Sequence, residues 1–300
     1  MATALLLLPD FLLIALGFVL CHRSALNRPV WDAAERLVYY LLFPVLLFNS
    51  IVKSPLQLGQ TASLALASVG VVAAGVLCAF AIGRLPGVDA RRHAAGAQTA
   101  FRFNSFIGLA LAERLGGPPG LAWMALSIAM CVPLCNVAAV WPLARHGGHS
   151  YGRELLRNPL ILSTAAGIAA NLAGLKFPDA LATTLQRIGL AALPLGLMAT
   201  GAGLRLGGLK AAPGLAAALM AVRHAVLPAI AIGLTAALAL PAEQRSIVVL
   251  FAALPTASSA YVLAARMGGD GGYVAGLVTL STLLGMFSIP LWLAVLAAAH

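Results

Sequence analysis

Residues 61–82 read TASLALASVGVVAAGVLCAFAI, a continuous apolar run without a charged residue. At a rise of about 1.5 Å per residue, a helix of this length crosses the hydrocarbon core of a bilayer. Comparable runs recur along the whole chain, separated by short connections that hold most of the Arg, Pro and Gly. Because the runs are continuous rather than alternating, they favour membrane-spanning helices over the strands of a β-barrel.

The composition leads to the same class of protein. Of the 300 residues, 61% are hydrophobic and 9% are charged, whereas a soluble domain has about 25% charged residues. The net charge of +10 comes from basic residues scattered between apolar runs, so we expect a lipid bilayer and no nucleic acid as partner. The four cysteines lie in or beside apolar runs, where they pack. We therefore expect no metal site and no cofactor.

The sequence predicts an all-α integral membrane protein with ten transmembrane helices. The predicted spans cover residues 3–21, 34–52, 61–82, 94–113, 120–144, 155–175, 180–203, 211–240, 244–266 and 272–298.

Basic residues in the connections predict the orientation. The connections that follow the odd-numbered spans hold twelve Lys and Arg, and the other side holds five. The richer side is cytoplasmic by the positive-inside rule. This predicts a multi-pass protein of the plasma membrane (the bacterial inner membrane), with both termini outside.

The second half of the chain resembles the first. Residues 9–17 match residues 159–167, and Pro44 in span 2 matches Pro194 in span 7, both at an offset of 150. Both prolines stand in the middle of their spans, where proline is uncommon. The shared order and offset predict an internal repeat.

A third match extends this repeat. Residues 104–117 resemble residues 256–269 at an offset of 152. The predicted repeats cover residues 1–147 and 148–300, with five spans each. Because five is odd, the second repeat enters the membrane inverted, which is the architecture of many secondary transporters.

Spans 4 and 9 are related by this repeat and carry the most polar residues at mid-depth. Pro255 is predicted to break span 9, because it lacks an N–H group and clashes with the preceding turn. A helix that begins at the break presents N–H groups and a positive dipole end to an anion. The predicted substrate-binding residues are Arg102, Asn104 and Ser105 in span 4, and Pro255, Thr256, Ser258, Ser259 and Tyr261 in span 9.

Two arginines lie deep in predicted spans. Arg102 is about ten residues beyond the Arg91-Arg92 pair, or roughly 15 Å into the bilayer. It either reaches back to the interface or serves as a counter-charge for an anionic substrate or as part of a gate. Arg223 is similarly deep, and pairing with a backbone carbonyl or another polar group would account for it.

Three further polar residues lie in spans. Asn49 and Asn136 are candidate secondary substrate-binding residues, with hydrogen bonding between helices as the alternative. His224 is the one histidine placed at depth by the predicted spans, which raises the alternative of a proton relay.

Several motifs resemble the auxin efflux carrier family, which includes the plant PIN proteins and bacterial malate or malonate permeases. The motifs are YYLLFPVLLF at 39–48, FRFNSFIG at 101–108, RNP at 157–159, ALPLG at 192–196 and ALPT at 253–256. The resemblance implies two inverted five-helix repeats, with spans 4 and 9 broken and crossing at the midplane. It also implies an elevator-like movement of a transport part against a scaffold, and small organic carboxylates as substrates. The family's midplane Asn corresponds to Asn104, and its span 9 proline to Pro255.

The chain departs from the plant pattern at three places. Phe103 stands where the plant proteins have proline before the span 4 Asn, so Gly108 is an alternative source of flexibility. The predicted hinge residues are therefore Phe103, Gly108 and Pro255. The loop between spans 5 and 6 is short, and Arg102 has no counterpart in the plant pattern. The substrate need not be auxin.

Other functions remain open at this stage. A sodium-coupled symporter of the bile-acid-carrier type is the main alternative, although a carboxylate is lacking in spans 4 and 9 apart from Glu113 at a span end. A channel is less consistent with broken helices. We expect no enzyme and no catalytic residues, since the spans hold no carboxylate pair or Ser/His arrangement. Proton or sodium coupling, a homodimeric assembly, and the direction of transport remain open.

Overall fold

The computed structural model describes residues 2–53, 58–144, 159–175, 177–205, 208–257 and 260–298, and every regular element in these ranges is helical. The helices of the first half are α1 (Ala2–Arg23), α2 (Arg28–Leu37), α3 (Phe43–Lys53), α4 (Leu58–Ile82), α5 (Ala90–Gly96) and α6 (Ser105–Ala144). The helices of the second half are α7 (Pro159–Leu172), α8 (Asp179–Leu190), α9 (Ala192–Ala202), α10 (Pro213–Ala221), α11 (Leu227–Ala237), α12 (Ala242–Ala253), α13 (Ala260–Arg266) and α14 (Gly271–Ala298).

Five helical stretches in the described ranges are long and apolar enough to cross a membrane. They are Ala62–Ile82, Ala90–Ala139, Asp179–Ala202, Pro213–Ala237 and Gly271–Ala298. Large apolar side chains on their outer faces, such as Leu77 and Phe287, are more than two thirds exposed. Such surfaces suit lipid and are costly in water. The chain is therefore a multi-pass membrane protein.

Predicted span 1 corresponds to the 22-residue helix α1. Spans 2, 6 and 9 correspond to shorter or interrupted helices. Helix α7 has 14 residues, and α12 and α13 have 12 and 7. The 40-residue helix α6 covers part of predicted span 4 and all of span 5, and it kinks at Gly117, where φ is 57° and ψ is −152°. A residue with a side chain rarely adopts this backbone conformation.

Two spans contain a π-helical segment just before a proline. Val38–Leu42 precedes Pro44, and Val222–Val226 precedes Pro228. Proline cannot donate the usual hydrogen bond to the carbonyl four residues earlier. A single π-helical turn accommodates that loss, and such turns are frequent at functional sites.

The chain forms two compact units, and neither coincides with a sequence half. Unit 1 consists of residues 1–62, 106–129 and 150–203, and unit 2 of residues 63–105, 130–149 and 204–300. Unit 1 thus holds predicted spans 1, 2, 6 and 7, whereas unit 2 holds spans 3, 8, 9 and 10. Each unit takes spans from both halves of the chain.

Unit 1 is built on two close helix pairs, α1 with α9 and α3 with α7. Gly17 of α1 lies directly against the backbone of Met198 in α9, so that a Cβ atom at Gly17 would overlap the Met198 carbonyl. A Cβ atom at Gly167 of α7 would lie 3.3 Å from the Phe48 carbonyl oxygen in α3. Small residues of this kind let helix backbones approach in lipid.

Unit 2 has its core around α12, which packs on α11 and α14. Residues 247–256 are all buried, including Phe251 and Pro255. A fully buried segment at this position holds the non-helical backbone that follows α12 away from lipid, as the bilayer requires.

Candidate functional site

The helical path of predicted span 4 is interrupted in unit 2. Helix α5 ends at Gly96, a 3-10 turn covers Ala97–Ala100, residues 101–104 are non-helical, and α6 begins at Ser105. The break thus forms without a proline, and Phe103 lies within it. Gly108, the alternative hinge, lies inside α6 beyond the break.

Two side chains just before this break donate hydrogen bonds to backbone carbonyl groups of α5. The Thr99 hydroxyl donates to the Gly96 carbonyl at 2.7 Å, and the Gln98 amide donates to the Ala95 carbonyl at 3.1 Å. Phe and Asn are also weaker helix formers than the Ala and Leu around them. Local chemistry therefore favours ending the first helix here.

Predicted span 9 is interrupted at its proline. Helix α12 ends at Ala253, residues 254–257 are non-helical, and α13 begins at Ala260. Pro255 is buried in this segment. Ser258 and Ser259, two predicted site residues, lie outside the described residues.

The two breaks contact each other within unit 2. The Asn104 N–H group donates to the Pro255 carbonyl at 2.8 Å, and the Phe103 and Phe251 rings pack with their centroids 4.6 Å apart. The Gln98 amide also reaches the Ala260 carbonyl at 3.2 Å. Segments far apart in the sequence are thereby joined at one place by one backbone hydrogen bond, one hydrogen bond from a side chain and one ring contact.

Predicted polar residues surround this junction. Arg102 is half-buried, and its guanidinium donates to the Gln98 amide oxygen at 3.0 Å. Asn104 is 2% exposed and Thr256 is fully buried. Thr256 Oγ1 has no hydrogen-bond partner among the described residues. Ser105, the first residue of α6, is half-buried.

Arg223 forms hydrogen bonds at the C-terminal end of α12. The sequence predicted that this arginine pairs with a backbone carbonyl or another polar group, without saying which. Its Nε–H group donates to the Leu254 carbonyl, and one terminal NH₂ group donates to the Phe251 carbonyl at 3.2 Å. Arg223 is 1% exposed. The predicted pairing with backbone carbonyls is confirmed.

His224 is bound by two serines of α14, a contact that sequence reasoning missed. Its Nδ1 lies 2.8 Å from Ser288 Oγ, and its Nε2 lies 2.8 Å from Ser281 Oγ. Ser281 Oγ also accepts the Thr256 N–H group at 3.0 Å. A hydrogen-bonded chain therefore runs from the span 9 break to His224.

A sequence signal for this region was available in Pro228. Its missing N–H leaves the carbonyl of residue 224, four positions earlier, without a helical partner. The Trp292 indole donates to that His224 carbonyl at 2.7 Å. Arg223 and His224 lie five and four residues before this proline, in a π-helical turn. Their side chains bond the end of α12 and helix α14.

The remaining predicted residues lie on helices α13, α3 and α6. Tyr261 packs against a cluster of buried residues from α5, α13 and α14, and the Arg205 guanidinium lies 5.0 Å from its ring centroid. Asn49 is buried on α3 in unit 1, and its Nδ2 has no partner among the described residues. Asn136 is half-buried on the second part of α6, in unit 2.

Comparison with known proteins identifies the family. Residues 143–293, half of the chain, match the family described as "Membrane transport protein". The chain belongs to the membrane transport protein family. The resemblance to auxin efflux carriers is confirmed by this match and by the relatives that follow.

Two curated relatives of this membrane transport protein cover nearly its whole length. An "Uncharacterized transporter" of Methanothermobacter thermautotrophicus is 27% identical over 292 residues, covering 95% of each chain. A "Putative malonate transporter" of Rhizobium meliloti is 28% identical over 305 residues, covering 95% of this chain and 92% of the relative.

The electrostatics of the transport protein's helix junction are positive. Arg102 and Arg223 both lie beside the breaks, and none of the ion pairs among the described residues involves Arg223. In the same described ranges, no three His, Cys, Asp or Glu side chains are close enough to hold a metal ion. The two charged side chains described beside the breaks, Arg102 and Arg223, are thus both positive.

Proposed function

We propose that the chain is a secondary transporter that carries small organic anions, in particular carboxylates, by alternating access. The observation that supports this most directly is the junction of the two helix breaks, where the Asn104 N–H group meets the Pro255 carbonyl at 2.8 Å. Broken helices that meet in this way are typical of substrate sites in secondary transporters.

The polar groups at the junction fit a carboxylate. Helix α6 begins at Ser105, so its first N–H groups and positive dipole end lie at the break. Arg102 supplies a guanidinium that can bind carboxylate oxygens in a planar, bidentate manner. The Asn104 amide and the buried Thr256 hydroxyl supply further donors. We assign anion binding to these four residues.

The relatives suggest which carboxylate to test first. The name of the Rhizobium meliloti relative includes malonate, a small dicarboxylate with two negative charges. Arg102 and Arg223 are the two cationic side chains described beside the breaks. A dicarboxylate matches this charge, so we place malonate and malate ahead of monocarboxylates.

We further propose that the ten spans form two inverted repeats, residues 1–147 and 148–300. The glycine contacts of unit 1 support this. Gly17 meets Met198, and Gly167 meets Phe48. Both Gly17 and Gly167, and Phe48 and Met198, differ by 150, the offset of the sequence repeat. One contact is the repeat image of the other.

The elevator-like mechanism that the family resemblance implies then assigns a role to each unit. Unit 2 holds both breaks and would be the transport part, and unit 1 would be the scaffold. Both termini would lie outside the plasma membrane. Alkaline phosphatase fused to the C-terminus should be active, and green fluorescent protein at the same place should be dark; the reverse result would contradict this topology.

Uptake into proteoliposomes tests the transport function. Radiolabelled malonate, malate, acetate and indole-3-acetate are offered in turn, with and without a sodium or proton gradient. We expect dicarboxylate uptake by the wild type and its loss in Arg102→Ala and Asn104→Ala. The matched controls are Arg84→Ala and Asn27→Ala, at two exposed positions. Normal uptake by both site variants would contradict the site, and no uptake of any carboxylate by the wild type would contradict the function.

A further inference from the structure

The C-terminal end of α12 is a site that favours a positively charged hydrogen-bond donor. The last carbonyl groups of a helix have no partner within the helix and carry the negative end of its dipole. In this chain, α12 ends at Ala253 among buried residues. The Phe251 carbonyl accepts the Leu254 N–H group at 3.4 Å, which leaves it further acceptor capacity, and the buried Leu254 carbonyl lies beyond the end of the helix. Leaving such groups unpaired in an apolar interior is costly.

Arg223 fills this site. Its guanidinium donates to both carbonyls, and the side chain is 1% exposed. Burying a charge is tolerated only when nearby groups compensate it. Among the described residues, no ion pair involves Arg223, so the two carbonyls and the helix dipole are its described compensation. The charge and the helix end therefore stabilise each other.

The same position has another common occupant in transporters built from broken helices. Unwound backbone carbonyls and the C-terminal ends of half-helices there coordinate a coupling cation such as Na⁺. We propose that the Arg223 guanidinium is a tethered cation that takes the place of a coupling sodium ion at the span 9 break. This deepens, and for its transport readout rests on, the organic anion transport proposed above.

Two consequences follow from a covalently attached cation. The positive charge beside the break is permanent, so anion uptake does not depend on sodium. The charge also travels with the break through the transport cycle, so it cannot transmit the energy of a sodium gradient. This separates the chain from a sodium-coupled symporter of similar architecture.

Three substitutions separate the charge of Arg223 from its hydrogen bonds. Arg223→Lys keeps a cation, Arg223→Gln keeps an N–H donor without the charge, and Arg223→Ala removes both. We expect uptake by Arg223→Ala and Arg223→Gln to fall by about tenfold or more, since hydrogen bonds from charged donors are the stronger ones. Arg223→Lys should retain more uptake than Arg223→Gln, and Arg84→Ala, exposed in a connection, should match the wild type.

The decisive measurement supplies a free cation in place of the Arg223 side chain. Uptake is measured in sodium, potassium and choline chloride at equal ionic strength, with and without added guanidinium. The wild type should transport equally in all three salts, whereas sodium or guanidinium should partly restore Arg223→Ala. Strict sodium dependence of the wild type, or equal activity of Arg223→Gln and Arg223→Lys, would overturn the tethered cation.

Thermal denaturation in detergent gives a readout that does not need transport. The apparent melting temperature of the wild type should not respond to sodium, and that of Arg223→Ala should be lower and should rise with guanidinium. If Arg223→Ala is recovered only unfolded, Arg223→Gln serves in the same measurement. A wild type that transports no carboxylate would refute the proposed function alone, whereas an Arg223→Ala or Arg223→Gln protein as stable as the wild type would refute the tethered cation alone.

Discussion

Replacing Gly201 with alanine tests the close helix pairing of unit 1. Gly201 lies on α9, and a Cβ atom there would overlap the carbonyl of Ile14 on α1. Backbone atoms cannot rotate away as a side chain can, so α1 and α9 would have to separate. Gly233 on α11 is the matched control, because it is also helical and has nothing within 4 Å of its ideal Cβ position.

The expected free-energy difference follows from two opposing effects. Alanine is favoured over glycine within a helix by about 1 kcal/mol, so Gly233→Ala should be neutral or stabilising. The same gain applies to Gly201→Ala, but overpacking costs about 1–3 kcal/mol. Gly201→Ala should therefore be less stable than Gly233→Ala by about 1–3 kcal/mol.

The assay is thermal denaturation of the detergent-purified variants. Its readout is the fraction of protein that remains monodisperse in gel filtration after heating. The structure also predicts a rank order, because the overlap differs among positions. Gly17→Ala and Gly201→Ala should be the most damaging, and Gly167→Ala milder, since its nearest neighbour would be Ile51 Cβ at 3.1 Å. If Gly201→Ala and Gly233→Ala have the same melting temperature, the close approach of α1 and α9 is refuted.

Two further predictions concern the hydrogen bonds around His224. Ser281→Ala should reduce carboxylate uptake more than Ser288→Ala, because Ser281 Oγ bonds both the span 9 break and the imidazole, whereas within the described ranges Ser288 Oγ bonds the imidazole alone. Equal loss in proteoliposome assays would contradict this. Trp292→Phe should destabilise the protein by about 1 kcal/mol, because the His224 carbonyl loses its donor. Pro228→Ala restores a helical N–H group to that carbonyl, so Trp292→Phe should cost less in the Pro228→Ala background; a double-mutant cycle of melting temperatures measures the difference, and additive effects would refute it.

The helices and the break at Pro255 could be predicted because their causes are local. Long apolar runs indicate membrane helices whatever surrounds them, and proline interrupts a helix through its own ring and its missing N–H. The pairing of the deep Arg223 with backbone carbonyls was also accessible, since a charge in an apolar span needs a partner.

The rest of the junction depends on contacts between distant residues. No proline marks the break at 101–104, and the N–H of Asn104 finds its acceptor 151 positions away at Pro255. The serines that bind His224 lie on another helix, 57 and 64 residues later. A single sequence contains no local trace of such partners, because they are brought together only by tertiary packing.

The hydrogen bond that joins the two breaks has a consequence for the energetics of transport. Because both breaks belong to one compact unit, a carboxylate held by them would meet the same donors whether it had entered from one side of the membrane or the other. A carrier without a coupling ion sets no preferred direction whatever its affinities on the two sides, because it does not change the equilibrium of the transported anion. Net flux would then follow the electrochemical gradient of the anion and reverse when that gradient reverses. Export and import would be the same transport cycle running in opposite directions.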